Sequence, residues 1–355
     1  MVSRAPLLRS LQWWWPGAPP LASACVVVLR PARRIEADGF LAALGAQRPI
    51  VLLFLDEGPY EGPWPFVSWP SVGVARLLAR LAPRRLVMLD DHPRARALAA
   101  RASCPVTWVN GAEPALLALG EVFVASPMRA QALGGGLVTG DPFVTVPAPP
   151  AADADPAFCE RFRRVRSARR FIVYFAGTGP GEEVLAYQTF LALSARSAGL
   201  LALAPQDPAR HESVYRESIK YHLLTIRQRR LLTSEVPANT RVYYIEDAHA
   251  SRAMGACADA LIAGGTLRGG AVDFDLALSA GVPVLVGPVR TDPLVASAVR
   301  ALAVSACDDD QALVTALQGL IADPAARSER AQTLKDWVAL QSRARAQVVE
   351  RLSDP

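Results

Sequence analysis

The sequence predicts an α/β protein made of two Rossmann-like domains. Three observations predict it. Short β-branched runs alternate with Ala/Leu/Arg-rich stretches of helical spacing. The alternation occurs twice, once on each side of a proline-rich segment, and 355 residues suit two domains of roughly 100–200 residues each. A hydrophobic fraction of 51% against 20% charged residues supplies apolar area for a core and excludes a disordered chain.

In the first half, the strand candidates are Cys25–Leu29, Ile50–Leu55, Arg85–Leu89, Val106–Val109 and Val122–Ala125. GFLAALGA, SVGVARLLARLAP and PRARALAARA lie between them and read as amphipathic helices. PFVTVPAPPAADADPA then concentrates proline, alanine and aspartate in a way that suits neither helix nor strand. Beyond it the series resumes with Arg170–Phe175, Gly199–Ala204, Arg241–Ile245, Ala260–Ala263 and Pro283–Val286, and 325–352 closes the chain as helix. The division expected is an N-terminal segment 1–24, a domain 25–145, a linker 146–157 and a domain 158–355 with the C-terminal helix, the two domains facing a cleft.

Several function classes drop out. The five cysteines contain no CxxC pair and the four histidines no HExxH spacing, so neither a disulfide framework nor a metal site is expected, which suits a reducing compartment. A net charge of +5 comes with no RNP-like, KH-like or helix-turn-helix signature, so nucleic acid is not an expected partner. The densest basic run, Arg161, Arg163, Arg164, Arg166, Arg169 and Arg170, reads as a solvated face, with attraction to anionic head groups as the functional alternative. At the N-terminus, the apolar stretch is interrupted by Arg9, Gln12, Pro16, Pro19 and Pro20, well short of a membrane span. Trp13, Trp14 and Trp15 beside Arg4 and Arg9 suit a membrane interface, or equally packing on the protein body.

Two segments carry the candidate chemistry. FAGTGPGEE runs from a strand through a glycine turn into a helix, which places the N–H groups of Gly177, Thr178 and Gly179 to face an anion, with Glu182 and Glu183 at the positive end of the helix dipole. In LIAGGTLRGGAVDFDLALSAGVPVLVGP, Gly264, Gly265 and Thr266 follow a strand, and Gly269 and Gly270 open a helix containing Asp273 and Asp275. Glycines admit close backbone approach, and an acid can take ribose hydroxyls at the carboxyl end of a parallel sheet. On this reading Gly265→Val removes nucleotide binding and leaves the fold largely intact.

The order AGTGPGEE, LAPQDPAR, YIEDAHASRAMGACADALIAGGTLRGG, AGVPVLVGP resembles the 3-deoxy-D-manno-octulosonic acid (Kdo) transferases of lipopolysaccharide assembly. So does the first half, through PFVSWPSVGVARLLARLAPRRLVMLDDHPRARALAARASCPVTWVNG, VFVASPMRAQAL and VTGDPFVTVPAPP. The resemblance spans about residues 25 to 320. It implies a GT-B fold and inverting, metal-independent transfer from CMP-Kdo to a lipid A-type glycolipid, with no cofactor. The location it implies is the cytoplasmic face of the inner membrane, as a peripheral protein. It places the donor on Gly177, Thr178, Gly179, Gln206, Glu246, Gly264, Gly265, Thr266, Gly269, Gly270, Asp273 and Asp275.

Transfer with inversion needs a base for the acceptor hydroxyl and cationic or dipolar groups for the leaving phosphate. The family's glutamate base falls near Glu36, and Asp91, in the Asp90-Asp91-His92 cluster, is the second candidate. Where the family has Arg-His this chain has Gln206-Asp207, which leaves Arg210, Arg268 or backbone amides for the phosphate. The family's His-Asn-x-x-Glu is replaced by Ala271-Val272-Asp273-Phe274-Asp275. These replacements keep two other readings open: a degenerate GT-B protein acting as a non-catalytic scaffold, and a transferase for another nucleotide sugar.

Overall fold

The computed structural model describes residues 24–58, 60, 62–69, 78–79, 82–146, 155–194, 199–231 and 235–354. The tryptophan-bearing N-terminus, much of SVGVARLLARLAP and most of the proline-rich linker lie outside the described residues. The chain divides into two compact units, residues 1–145 with 340–355, and residues 146–339.

The first unit is built on β1 (Cys25–Leu29), α1 (Arg33–Gln47), β2 (Ile50–Phe54), β3 (Phe66–Ser68), β4 (Arg85–Met88), α2 (Pro93–Ala99), β5 (Val106–Val109), β6 (Glu121–Val124), α3 (Pro127–Leu133) and β7 (Leu137–Val138). The sheet is parallel with order β3-β2-β1-β4-β5-β6-β7, so the strand order reverses between β1 and β4. Central strands of a parallel sheet are covered on both faces and read as continuous apolar runs. β1 shows why: Val26 and Val28 enter one core with Leu98 of α2 and Leu133 of α3, whereas Cys25, Val27 and Leu29 enter another with Phe40, Leu41 and Leu44 of α1. His92 accepts from the N–H of Arg94 and Ser126 from that of Arg129, and a proline follows each cap, so α2 and α3 start where they do.

The second unit contains α4 (Pro156–Glu160), α5 (Arg163–Ser167), β8 (Phe171–Thr178), α6 (Glu182–Ser194), β9 (Gly199–Pro205), α7 (His211–Lys220), β10 (Thr225–Arg227), β11 (Val242–Tyr244), α8 (Ala248–Cys257), β12 (Ala260–Ala263), α9 (Phe274–Ser279), β13 (Val284–Val286), α10 (Pro293–Arg300), β14 (Ser305–Ala306) and α11 (Asp310–Ala322). Its sheet, also parallel, has the order β10-β11-β9-β8-β12-β13-β14, with the reversal between β8 and β12. Phe175, Leu203 and Ile262 on one face pack against Leu185 and Phe190 of α6 and Leu313 and Leu317 of α11.

The structure bears out the two α/β halves. Each sheet has seven strands where the sequence shows five. The four unforeseen strands, β3, β7, β10 and β14, have two or three residues each and lie at or next to sheet edges. Strands that short are blunted edges without a readable apolar run.

Three expectations are corrected. Residues 325–352 form two helices, α12 (Pro324–Gln341) and α13 (Ala344–Ser353), and the second belongs to the first unit. Buried Gln341 anchors it by accepting the N–H of Asp141 at 2.9 Å and donating to the carbonyls of Asp141 and Val144. Gly140, at φ +81°, permits the approach, because a Cβ there would lie 2.6 Å from Cβ of Ala344. Secondly, Cys159 and Cys257 form a disulfide joining α4 to the end of α8, with Cα atoms 5.3 Å apart. Ninety-eight residues separate the two, so no local spacing announces the bond, and cysteine usage no longer argues for a reducing compartment. Thirdly, the arginine run is a solvated face only in part: Arg163, Arg164, Arg166 and Arg169 are exposed, the first two pairing with Glu235 and Arg166 with Asp259, whereas Arg170 is buried and donates to the carbonyls of Ala238, Gly199 and Thr240.

Replacing Gln341 by Ala removes its hydrogen bonds to Asp141 and Val144, at a cost of about 1–3 kcal/mol. Urea unfolding of Gln341→Ala is expected to show that loss, and an unchanged midpoint would contradict the anchoring.

Candidate functional site

The carboxyl ends of β8, β9 and β11 enclose a cavity of about 180 Å³ in the second unit. Its walls come from Ala176 and Gly177 after β8, Ala204 to Gln206 after β9, and Ile245 to Ala248 after β11. Pro208, His211 at the start of α7, Ser251 and Arg252 on α8, and Asp273 and Leu276 at α9 complete them. A doubly wound sheet leaves its crevice beside the point where strand order reverses, here next to β8.

The two glycine loops beside the cavity are fixed by one side chain. Fully buried Glu182 accepts the N–H of Gly179 at 2.8 Å, of Gly265 at 2.8 Å, of Leu267 at 2.9 Å and of Arg268 at 3.0 Å. The anion that the N–H groups of Gly179 and Gly265 face is therefore the protein's own carboxylate. Gly265 sits at φ +77°, and a Cβ on it would come within 2.2 Å of the Ala271 carbonyl oxygen. Gly265→Val thus damages the loop itself, which corrects the expectation of an intact fold.

Next to it, Thr178 donates to Glu183 at 2.9 Å, and Glu183 accepts from Arg210 at 2.8 Å. Thr266 bridges the Ala263 carbonyl and the Gly287 N–H. Of the residues that sequence reasoning assigned to the donor, the cavity brings together Gly177, Gln206, Glu246 and Asp273. Thr178, Gly179, Gly264, Gly265, Thr266, Gly269, Gly270 and Asp275 are not in its lining. Asp273 also caps α9 through the N–H of Leu276, and the pKa of the Asp275 carboxyl, two residues on, is raised above the usual range by burial and by Asp273 and Asp292.

The cations expected at a leaving phosphate are paired elsewhere, Arg210 with Glu183 and Arg268 with Asp310. Arg252 lines the cavity and forms no ion pair among the described residues. Sequence reasoning missed it and His211. Both lie on helices that begin just after β9 and β11, so strand-to-helix position was the signal available. Tyr244 donates to the His211 carbonyl at 2.9 Å and so accepts from His211 Nδ1 at 3.1 Å. That fixes the proton on Nδ1 and leaves Nε2 an acceptor.

In the first unit, both base candidates are engaged by arginines. Glu36 is exposed in the first turn of α1 and pairs with Arg33, while Asp91 receives Nε and Nη2 of Arg96 at 2.5 and 2.6 Å. It is Asp90, 7% exposed at the end of β4, that holds the first turn after β1, accepting from the backbone N–H of Arg30 at 2.7 Å and from its guanidinium. Among the described residues no three His, Cys, Asp or Glu side chains are placed to hold a metal ion, and no helix is long and apolar enough to cross a membrane.

Burial holds the His211 imidazole below its ordinary pKa of about 6.5. The folded value is depressed, so the stability this neutral ring supports is present above about pH 6.5 and lost as pH falls through the folded value. Thermal unfolding of the protein and of His211→Gln between about pH 8 and pH 5 is expected to show a Tm difference that holds at the alkaline end and shrinks below about 6.5. A difference independent of pH would refute the assignment.

No family model and no curated protein matches the chain. Among solved structures, the chain is similar to the C-terminal CMP-Kdo binding domain of WaaA from Acinetobacter baumannii, at 21% identity over 53% of this chain and 98% of that one, with a TM-score of 0.47. It is also similar to WaaG, a glycosyltransferase involved in lipopolysaccharide biosynthesis, at 11% identity over 94% and 100%, with a TM-score of 0.38. A UDP-forming α,α-trehalose-phosphate synthase from Burkholderia vietnamiensis gives 14% identity over 93% and 98%, with a TM-score of 0.40.

Proposed function

We propose that this chain is a nucleotide-sugar-dependent glycosyltransferase of the GT-B type, with its donor nucleotide in the cavity of the second unit. The observation that carries the reading is the cavity at the carboxyl ends of β8, β9 and β11, where an acceptor-rich wall of Glu246 and His211 shares the lining with Arg252, a cation with no ion pair among the described residues. A nucleotide needs both kinds of surface, acceptors for its hydroxyl and amino groups and a cation for its phosphate.

The collinear resemblance to Kdo transferases supports the finer reading: a CMP-activated sugar moved with inversion onto a lipid A-type glycolipid at the cytoplasmic face of the inner membrane, without a metal. On this reading Arg252 and the backbone around Gly177 hold the phosphate as negative charge develops on it, and a carboxylate of the first unit takes the acceptor proton. Glu36 suits that task better than Asp91. One of its oxygens has no hydrogen-bond partner among the described residues, whereas both oxygens of Asp91 are held by Arg96.

Calorimetric titration with CMP and CMP-Kdo, then a turnover assay, tests the reading. Saturating nucleotide is expected to raise Tm by mass action. Glu36→Gln is expected to lower turnover by roughly 10²–10⁴-fold with donor affinity nearly unchanged, Asp91→Asn being the second choice. Absence of a thermal shift with every common nucleotide would overturn the transferase reading, and nucleotide binding without turnover would favour the scaffold.

A further inference from the structure

Among the described residues, Glu246 is the one buried side chain of this cavity that the fold leaves half satisfied. It follows β11, and its side chain is 6% exposed. Arg227 directs Nε, at 3.1 Å, and Nη2 to the same oxygen, Oε1. Arg227 cannot swing to share them. It is 11% exposed, its guanidinium lies 4.7 Å from the centre of the Tyr215 ring, and its Nη1 donates to Glu212 at 2.8 Å. Oε2 of Glu246 is buried with no hydrogen-bond partner, and of the buried polar atoms in that condition among the described residues it alone belongs to this cavity's lining.

Buried carboxylate oxygens are normally paired, so an unpaired one on a cavity wall points to a ligand that supplies the missing donor. The chemistry of that donor follows from the neighbours. Arg227 balances the carboxylate charge, so Oε2 offers a hydrogen bond and little net attraction for a cation, and it repels phosphate. A further acceptor in the same lining is Nε2 of His211, left without a proton because Nδ1 donates to Tyr244. Two acceptors suit a group with two hydrogens to give.

We propose that Glu246 sets the ligand specificity of this cavity by accepting, through Oε2, a neutral N–H or O–H donor of a nucleoside, with the phosphate turned away from it toward Arg252. This rests on the reading of the cavity as a nucleotide site. The donor group is either an exocyclic amino group of the base or the hydroxyl pair of the ribose.

Calorimetric titration of the full chain with CMP, UMP and 2′-deoxy-CMP tests it. Recognition of the amino group makes CMP bind about ten- to a hundredfold more tightly than UMP, whose O4 would face an acceptor with an acceptor. Recognition of the ribose makes CMP and UMP bind alike and 2′-deoxy-CMP bind about ten- to a hundredfold more weakly. In either case Glu246→Gln, shown to be folded by its melting curve, abolishes the preference. Glu246→Asp keeps the charge but withdraws the oxygen by a methylene, and is expected to reduce it. Equal binding of all three ligands by the wild type, together with wild-type affinity in Glu246→Gln, overturns the proposal and leaves the nucleotide site standing. Failure of the wild type to bind any of the three overturns the proposal, and the nucleotide reading falls with it only if no other common nucleotide gives a thermal shift.

Discussion

The second unit is organised around one buried carboxylate. Glu182 gathers four backbone N–H groups from two loops more than eighty residues apart, and in a low-dielectric interior each such charge-assisted bond is stronger than its counterpart at the surface. The loop after β8 and the loop after β12 flank the point where strand order reverses, so their separation shapes the crevice there. Held by Glu182, the two glycine-rich segments act as a rigid frame, and the cavity opens beside them under Gly177, Gln206 and Glu246. The Thr178–Glu183–Arg210 chain secures the same corner from the α6 side.

That arrangement explains the division of labour among the acidic residues of the unit. Glu182 and Glu183 are consumed by structure, and Asp247 and Asp273 cap α8 and α9. Glu246 is different, because its guanidinium partner engages a single oxygen and leaves the other buried with no hydrogen-bond partner among the described residues. A carboxylate kept in that condition is a reservoir of binding free energy for whatever completes it. The same contrast holds among the arginines: Arg210, Arg227 and Arg268 are paired within the fold, whereas Arg252 is left to the cavity.

The central strands were legible in the sequence because a parallel strand buried on both faces is written as an unbroken apolar run, as in Cys25–Leu29 and Ala260–Ala263. β3, β7, β10 and β14 were not, since two or three residues at a sheet margin leave no pattern. The strand ends that carry chemistry could be placed, and Gly177, Gln206, Glu246 and Asp273 do meet in one cavity. Side-chain pairing was invisible. Nothing local in the sequence shows that Arg268 meets Asp310, that Cys159 meets Cys257, or that Gln341 returns to Asp141. The glycine-rich turns looked like anion sites for the same reason: their geometry was readable, but the distant carboxylate that fills them was not.

Hydrogen exchange of the loop amides in Glu182→Gln tests the central claim most directly. The amide side chain presents an NH₂ to some of the donors that Glu182 accepts, so at least one charge-assisted bond worth about 1.5–3 kcal/mol is lost. Exchange at Gly179, Gly265, Leu267 and Arg268 is expected to quicken by about ten- to a hundredfold. Protection at these four amides equal to that of the unmodified protein would contradict the account.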